Sequence, residues 1–158
     1  MDKNPLLLKQ GTRLAYFRVD DHRTSEELWS SHWKNLDPSA DFYRRFESGY
    51  LSVYSKIFPK HLPRQGKIIE AGCGRAQYVV ALKSRGYDCD GIDTAIGTIE
   101  QIKQRLPDLP VSVGDVLELK YGTSSISGYI SLGVVEHFQE GPQHALAEVY
   151  RVLEPGGV

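Results

Sequence analysis

Lys67-Ile68-Ile69-Glu70-Ala71-Gly72-Cys73-Gly74-Arg75-Ala76 decides how this chain is read. Lys67–Ala71 has the pattern of a buried strand. It runs into Gly72 and Gly74, which lack a Cβ and so let the backbone turn tightly and press against a ligand. From Arg75 to Arg85 the apolar residues Ala76, Val79, Val80 and Leu82 recur at helical spacing, and Gly86 is a good stop. A strand, a glycine turn and a helix in that order open a βαβ unit. The helix N-terminus then aims its N–H groups at whatever the turn holds.

The same alternation continues downstream. Tyr87–Asp93 reads as a second strand and Thr94–Leu106 as a helix, with Ile96, Ile99, Ile102 and Leu106 turned inward. Val111–Gly114 reads as a third strand, residues 116–127 as loop, and Tyr129–Leu132 as a fourth strand. Pro142–Leu153 reads as a helix with Ala145, Leu146, Val149, Val152 and Leu153 on its core face, ended by Pro155-Gly156-Gly157. Strands alternating with helices imply a parallel sheet covered on both faces.

Upstream the reading is helical. Leu14, Tyr16, Phe17 and Val19 suit a short strand or a surface arm. Thr24 and Glu27 form a capping-box pattern, followed by Trp29, Trp33 and Leu36 on one helical face. Asp37-Pro38 opens a further helix. It carries Phe42, Phe46, Tyr50, Tyr54 and Phe58 at spacings of four, and Pro59 ends it.

The 158 residues suit one domain. Basic and acidic residues nearly cancel, 19 against 20, so the balance favours neither nucleic acid nor an anionic membrane as partner. Apolar content of 41% fits a soluble globular protein. No window is long and apolar enough to span a bilayer, and Leu6-Leu7-Leu8 is too short for a signal-peptide core. Cys73 and Cys89 have no Cys or His neighbour at metal-ligand spacing. A disulfide framework is not expected, and a reducing, cytoplasmic setting fits.

In an open α/β sheet, ligands bind beyond the C-terminal ends of the strands. Glu70, Gly72, Cys73 and Gly74 follow the first strand, Asp93 the second, Asp115 the third, and Gly133 to His137 the fourth. Asp93 lies 19 residues past Gly74, near the ~20 at which an acidic residue meets a ribose. Asp115 can accept from an exocyclic amine while Val116 N–H reaches a ring nitrogen, which together read adenine.

With these residues in view, the sequence resembles the class I S-adenosylmethionine-dependent methyltransferases, in their small-molecule branch. Glu70–Ala76 resembles their E/D-x-G-x-G-x-G signature, with Ala76 in place of the third glycine. Gly91-Ile92-Asp93 resembles the acidic end of their second strand, and Gly114-Asp115-Val116 their adenine-binding strand end. Val134-Val135-Glu136-His137-Phe138 resembles the loop after their fourth strand. Arg151-Val152-Leu153-Glu154-Pro155-Gly156-Gly157 resembles the L-K-P-G-G run before their fifth.

The resemblance covers residues 66–158 and implies a Rossmann-like parallel sheet of order 3-2-1-4 flanked by helices. Residues 1–65 are then a helical lead-in or lid. It implies S-adenosylmethionine as cofactor, S-adenosylhomocysteine as product, and methyl transfer to O, N or C of a small-molecule acceptor. Position by position, Glu70 orders the loop and faces the methionine amino end, and Gly72 and Gly74 face the methionine part. Asp93 holds the ribose, Asp115 and Val116 flank adenine, and Leu132 and Gly133 line the floor near the sulfonium. Cys73 and Thr94 complete the cofactor set. A metal-using branch carries a Glu where Gly133 stands, so no metal site is expected here.

Several alternatives stand beside these readings. A nicotinamide fingerprint needs a small residue where Gln77 stands. Cys73 is either a thiol activated at a helix N-terminus or, as we prefer, a small packed residue. His137, with Glu136, is a candidate catalytic base. Trp29 and Trp33 are either core aromatics or a lid that excludes water. Tyr43, Tyr50 and Tyr54 read as packing. The chain stops at Val158, where the family's fifth strand begins, so it reads as truncated. A bare outer edge on the fourth strand is then expected, and with it a homo-oligomer or a partner chain. The alternative function is a non-catalytic binding or scaffold module of the same fold, completed by such a partner.

Overall fold

A computed structural model describes residues 6–10, 13–17, 25–34, 40–138 and 140–158. The chain opens with an antiparallel hairpin, β1 (Leu6–Gln10) and β2 (Arg13–Phe17), with Leu6 opposite Phe17. Three helices follow: α1 (Ser25–Lys34), α2 (Ala40–Glu47) and the short α3 (Phe58–His61). The lead-in is therefore part hairpin and not wholly helical. Thr24, Leu36, Asp37 and Pro38, invoked above as caps and helix positions, lie outside the described residues, as does Val19.

The main sheet contains β3 (Lys67–Ala71), β4 (Asp88–Asp93), β5 (Val111–Val113) and β6 (Gly128–Ile130). Every pairing in it is parallel, and the order is β5-β4-β3-β6. Counted from β3, this is the Rossmann-like 3-2-1-4. Helices α4 (Gln77–Ser84), α5 (Ile96–Arg105) and α6 (Gln143–Val152) complete it.

The strand period divides the core in two. Ile68 joins the cluster with Tyr43, Phe46, Val79, Leu82, Ile99 and Ile102. Ile69 and Ala71, alternating with it, join Ile92, Val116, Leu119, Ala145 and Val152. Successive side chains of a strand point to opposite faces, so one apolar run serves both layers. Glu70 lies on the same face of β3 as Ile68 and points toward α4.

Three expectations need correction. The aromatic row from Phe42 to Phe58 is not one helix. Helix α2 ends at Glu47, where Gly49 N–H turns back to Phe46 O (2.8 Å), and a 3-10 turn spans Ser52–Tyr54. Pro59 lies in the first turn of α3 and does not end a helix. The fourfold spacing reports an aromatic cluster instead. Tyr54 stacks on Phe58 with ring centres 4.9 Å apart, and Tyr78 of α4 meets both edge-on. Second, Ile96 and Leu146 are 45% and 52% exposed, so the inward faces of α5 and α6 are narrower than their apolar residues suggest.

Third, the outer edge of β6 is not bare. Val158 N–H donates to Ser127 O (3.1 Å), and Tyr129 N–H donates to Val158 O (2.7 Å). That is the parallel ladder pattern. Residues after α6 thus occupy the edge from Ser127 to Tyr129. Among the described residues no helix is long and apolar enough to cross a membrane.

Gly91 shows how tightly β4 is enclosed. A Cβ there would lie 2.8 Å from Val79 Cγ2, 3.0 Å from Cys73 Sγ and 3.1 Å from Val111 Cγ1. Gly91→Ala should destabilise the fold by about 1–3 kcal/mol, the usual effect of overpacking. Urea denaturation measures it, and an unchanged midpoint would show that the β4 surroundings are looser than this.

Candidate functional site

The glycine turn is bonded to the neighbouring strand and not left open. Gly72 N–H and Cys73 N–H both donate to Ile92 O, at 2.8 and 2.9 Å. Gly74 N–H donates to Asp93 Oδ2 at 2.7 Å, and Ala95 N–H to Asp93 Oδ1 at 2.9 Å. Gly114 N–H, after β5, donates to Asp93 O at 3.0 Å. Asp93, 7% exposed, thus ties the turn, the start of α5 and the end of β5 together.

Both glycines have left-handed φ, +78° and +51°. A Cβ on Gly72 would strike the Val134 side chain, and one on Gly74 would lie 2.6 Å from Trp33 Cζ2. Ala76 is also left-handed, at φ +55°, just before α4. The exchange of glycine for alanine there carries the ~1–2 kcal/mol strain of that conformation.

Glu70 corrects one expectation. Of the N–H groups at the start of α4, that of Val79 is not offered to a ligand, since it donates to Glu70 Oε2 at 3.1 Å. One donor of the helix end is thus met from within by a buried side chain. Burial pushes the Glu70 carboxyl up from 4.5 to about 8, the Val79 bond opposes this, and the charge of Asp93 adds to it. Glu70 therefore carries no charge of its own near neutral pH, and the acidic charge beside the turn is that of Asp93. With the Val79 N–H taken by a protein side chain, a phosphate at that helix end would lack one of the donors it uses.

The other candidates fall as follows. Cys73 is buried in the core layer of α4, and burial pushes its thiol well up, so it is a packed residue and not an activated nucleophile. Thr94 is half-buried beside Asp93. Asp115 is exposed and accepts Leu117 N–H at 2.8 Å through Oδ1, while Val116 is buried below it. Leu132 is partly buried and Gly133 exposed, both just past β6. His137 ends a 3-10 turn, Val135–His137, and is exposed beside Glu136. Among the described residues no group of three or more His, Cys, Asp or Glu side chains could hold a metal.

Helix α1 reaches both ends of this row. Trp33 covers Gly74, and Trp29 meets the His137 ring edge-on at 4.8 Å. Tyr43 does more than pack. It is 2% exposed, and its hydroxyl donates to Arg75 O at 2.9 Å, so α2 holds the far side of the glycine turn. Only the need of a buried hydroxyl for a partner hinted at this in the sequence. A cleft of about 380 Å³ opens beside the turn, lined by Trp33, Tyr43, Arg75, Thr98, Gln101 and Arg105. It includes none of the acidic strand ends.

Glu70 makes a prediction about pH. Its carboxyl is protonated in both states below 4.5 and still protonated in the folded state up to about 8. The contribution of Glu70 to stability is therefore fully present below 4.5 and is lost as pH rises through that window. Glu70→Gln should match the wild type near the lower limit and melt higher at the upper one. A wild-type advantage at both pH values would contradict the assignment.

A family model described as "Methyltransferase domain" matches residues 69–158, more than half of the chain. A Mycolicibacterium smegmatis protein named as a probable S-adenosylmethionine-dependent methyltransferase is 29% identical over 117 residues, which cover 74% of this chain and 43% of that protein. A malonyl-[acyl-carrier protein] O-methyltransferase of Serratia marcescens is 30% identical over 92 residues, 58% of this chain and 36% of its own. The chain thus spans about two fifths of the length of these relatives. Among solved structures, the geranyl diphosphate C-methyltransferase of Streptomyces coelicolor superposes with a TM-score of 0.62 at 14% identity, covering 87% of this chain and 63% of that one. Its complex holds Mg2+, geranyl diphosphate and S-adenosyl-L-homocysteine. By the fold, the glycine turn and the extent of the family match, this chain belongs to the methyltransferase-domain family.

Proposed function

We propose that the chain binds S-adenosylmethionine across the C-terminal ends of β3 to β6 and forms the cofactor-holding part of an enzyme that methylates a small-molecule acceptor. The observation that carries this is the bond from Gly74 N–H to Asp93 Oδ2, which joins the glycine turn to the acidic strand end. The carboxylate accepts from two backbone N–H groups and has lone pairs left for a ribose diol. Gly72 and Gly74 turn the backbone tightly toward the methionine part, beneath the Val134 and Trp33 side chains, while Asp93 places an acidic group toward a cationic ligand. Asp115 and Val116 meet the adenine, Thr94 adjoins the ribose, and Leu132 and Gly133 form the floor.

When bound, S-adenosylmethionine supplies an electrophilic methyl group on sulfur and leaves as S-adenosylhomocysteine. The residues act chiefly by holding two reactants in line and excluding water. Residues 66–158 make the cofactor core and residues 1–65 the lead-in, of which α1 serves as the lid. Support for the lid is that α1 bridges Gly74 and His137 through Trp33 and Trp29. His137, at the acceptor side, takes a proton from acceptors that carry one. The Serratia relative and the Streptomyces structural neighbour are named for unlike acceptor atoms, O and C. We therefore assign acceptor choice to α1 and the loop after β6, not to the glycine turn.

Calorimetry with S-adenosylhomocysteine tests the reading. One molecule should bind per chain, with a change in tryptophan fluorescence from Trp29 and Trp33. Asp93→Asn should weaken binding about tenfold or more, as expected for a lost charged hydrogen bond. A folded protein that gives no heat, or a variant that binds as the wild type does, would remove the cofactor assignment.

A further inference from the structure

The segment between β5 and β6 has no regular structure, yet α6 grips its backbone. Arg151 Nη2 donates to Leu119 O at 2.9 Å, and Nη1 to Tyr121 O at 2.8 Å. The same guanidinium holds Glu148 in a fork, Nε to Oε1 and Nη2 to Oε2, both at 2.7 Å. Glu148 Oε2 in turn accepts Leu119 N–H at 2.9 Å. Leu119 is thus held at its N–H and at its carbonyl by one ion pair. Arg151 keeps Glu148 ionised, with its carboxyl lowered to about 2, so the grip does not loosen near neutral pH.

Leu119 stands one turn from the proposed adenine-reading residues. Asp115 O accepts Glu118 N–H at 3.2 Å and Asp115 Oδ1 accepts Leu117 N–H at 2.8 Å, which closes that turn into a stiff unit. Val116 and Leu119, 6% and 4% exposed, anchor it in the α6 core layer. Apolar burial fixes how deep the turn sits but has no direction. Hydrogen bonds at Leu119 fix its rotation. A planar fork that meets a carboxylate and two carbonyls at once needs arginine; a lysine ammonium cannot reproduce it.

We infer that Glu148 and Arg151 are positioning residues which hold Asp115 and Val116 in register with the base of the bound nucleoside and so set its preference for adenine. The inference rests on the cofactor reading proposed above. The fold does not depend on the side-chain fork alone. Ser124 N–H donates to Arg151 O at 2.9 Å, and Ser125 and Ile126 N–H donate to Val152 O at 2.8 and 2.9 Å. These backbone bonds survive substitution.

The test compares S-adenosylhomocysteine with S-inosylhomocysteine, in which a carbonyl replaces the amine, on wild type, Arg151→Lys and Glu148→Gln. The wild type should prefer the adenine form, and both variants should lose about tenfold of that preference, the worth of one well-placed hydrogen bond. Hydrogen exchange should quicken at residues 117–121 and stay unchanged at 72–79. Equal losses for the two ligands, or a preference kept intact, would overturn the positioning role while leaving the cofactor reading in place. A wild type that binds neither ligand brings down both. If Arg151→Lys does not fold, Glu148→Gln decides; if neither folds, the pair serves folding and the inference fails.

Discussion

The buried carboxylate of Asp93 holds the strand ends in register. It receives the N–H groups of Gly74 and Ala95, and the same residue's carbonyl receives Gly114 N–H. A carboxylate removed from water needs several donors, and donors of this kind make stronger bonds to a charged acceptor than to a neutral one. Three segments otherwise free to turn independently are thereby joined at one residue: the exit of the glycine turn, the entry to α5, and the end of β5. In our reading the same oxygens meet the cofactor ribose, so the group that shapes the site also fills it.

Glu70 is the complement of this. It uses the positive end of α4 for the protein's own needs, through Val79 N–H. Burial pushes its carboxyl up to about 8 and the charge of Asp93 adds to this, so that near neutral pH it keeps its proton and sits at the helix end without a charge of its own. A fold of this architecture can bind a pyrophosphate at that helix end only if the end is open. Here one of its donors is taken by a side chain of the protein, which disfavours a phosphate at that point.

Much of this was legible in the sequence where it has a local period. The apolar run Lys67–Ala71, the glycines after it and the spacing to Asp93 placed the central strands and the acidic strand end correctly, because burial on both faces of a strand leaves a continuous apolar trace. The row Phe42 to Phe58 misled, since a spacing of four suits a helix as well as a cluster of rings drawn from a broken segment. Long-range polar pairs left no trace at all. The hold of Arg151 on Leu119 and Tyr121, the bond of Tyr43 to Arg75 and the contact of Trp29 with His137 join residues that no periodicity relates. The ladder bonds of Val158 on β6 were likewise out of reach, because one residue beyond a glycine pair carries no strand pattern.

The most direct test of the central claim is a crystal structure of the chain with S-adenosylhomocysteine. The expected result has both ribose hydroxyls on the Asp93 carboxylate, with Gly74 N–H still donating to it and the adenine beside Asp115 and Val116. A ligand seated instead in the cleft between α1, α2 and α5, or a ribose turned away from Asp93, would contradict it.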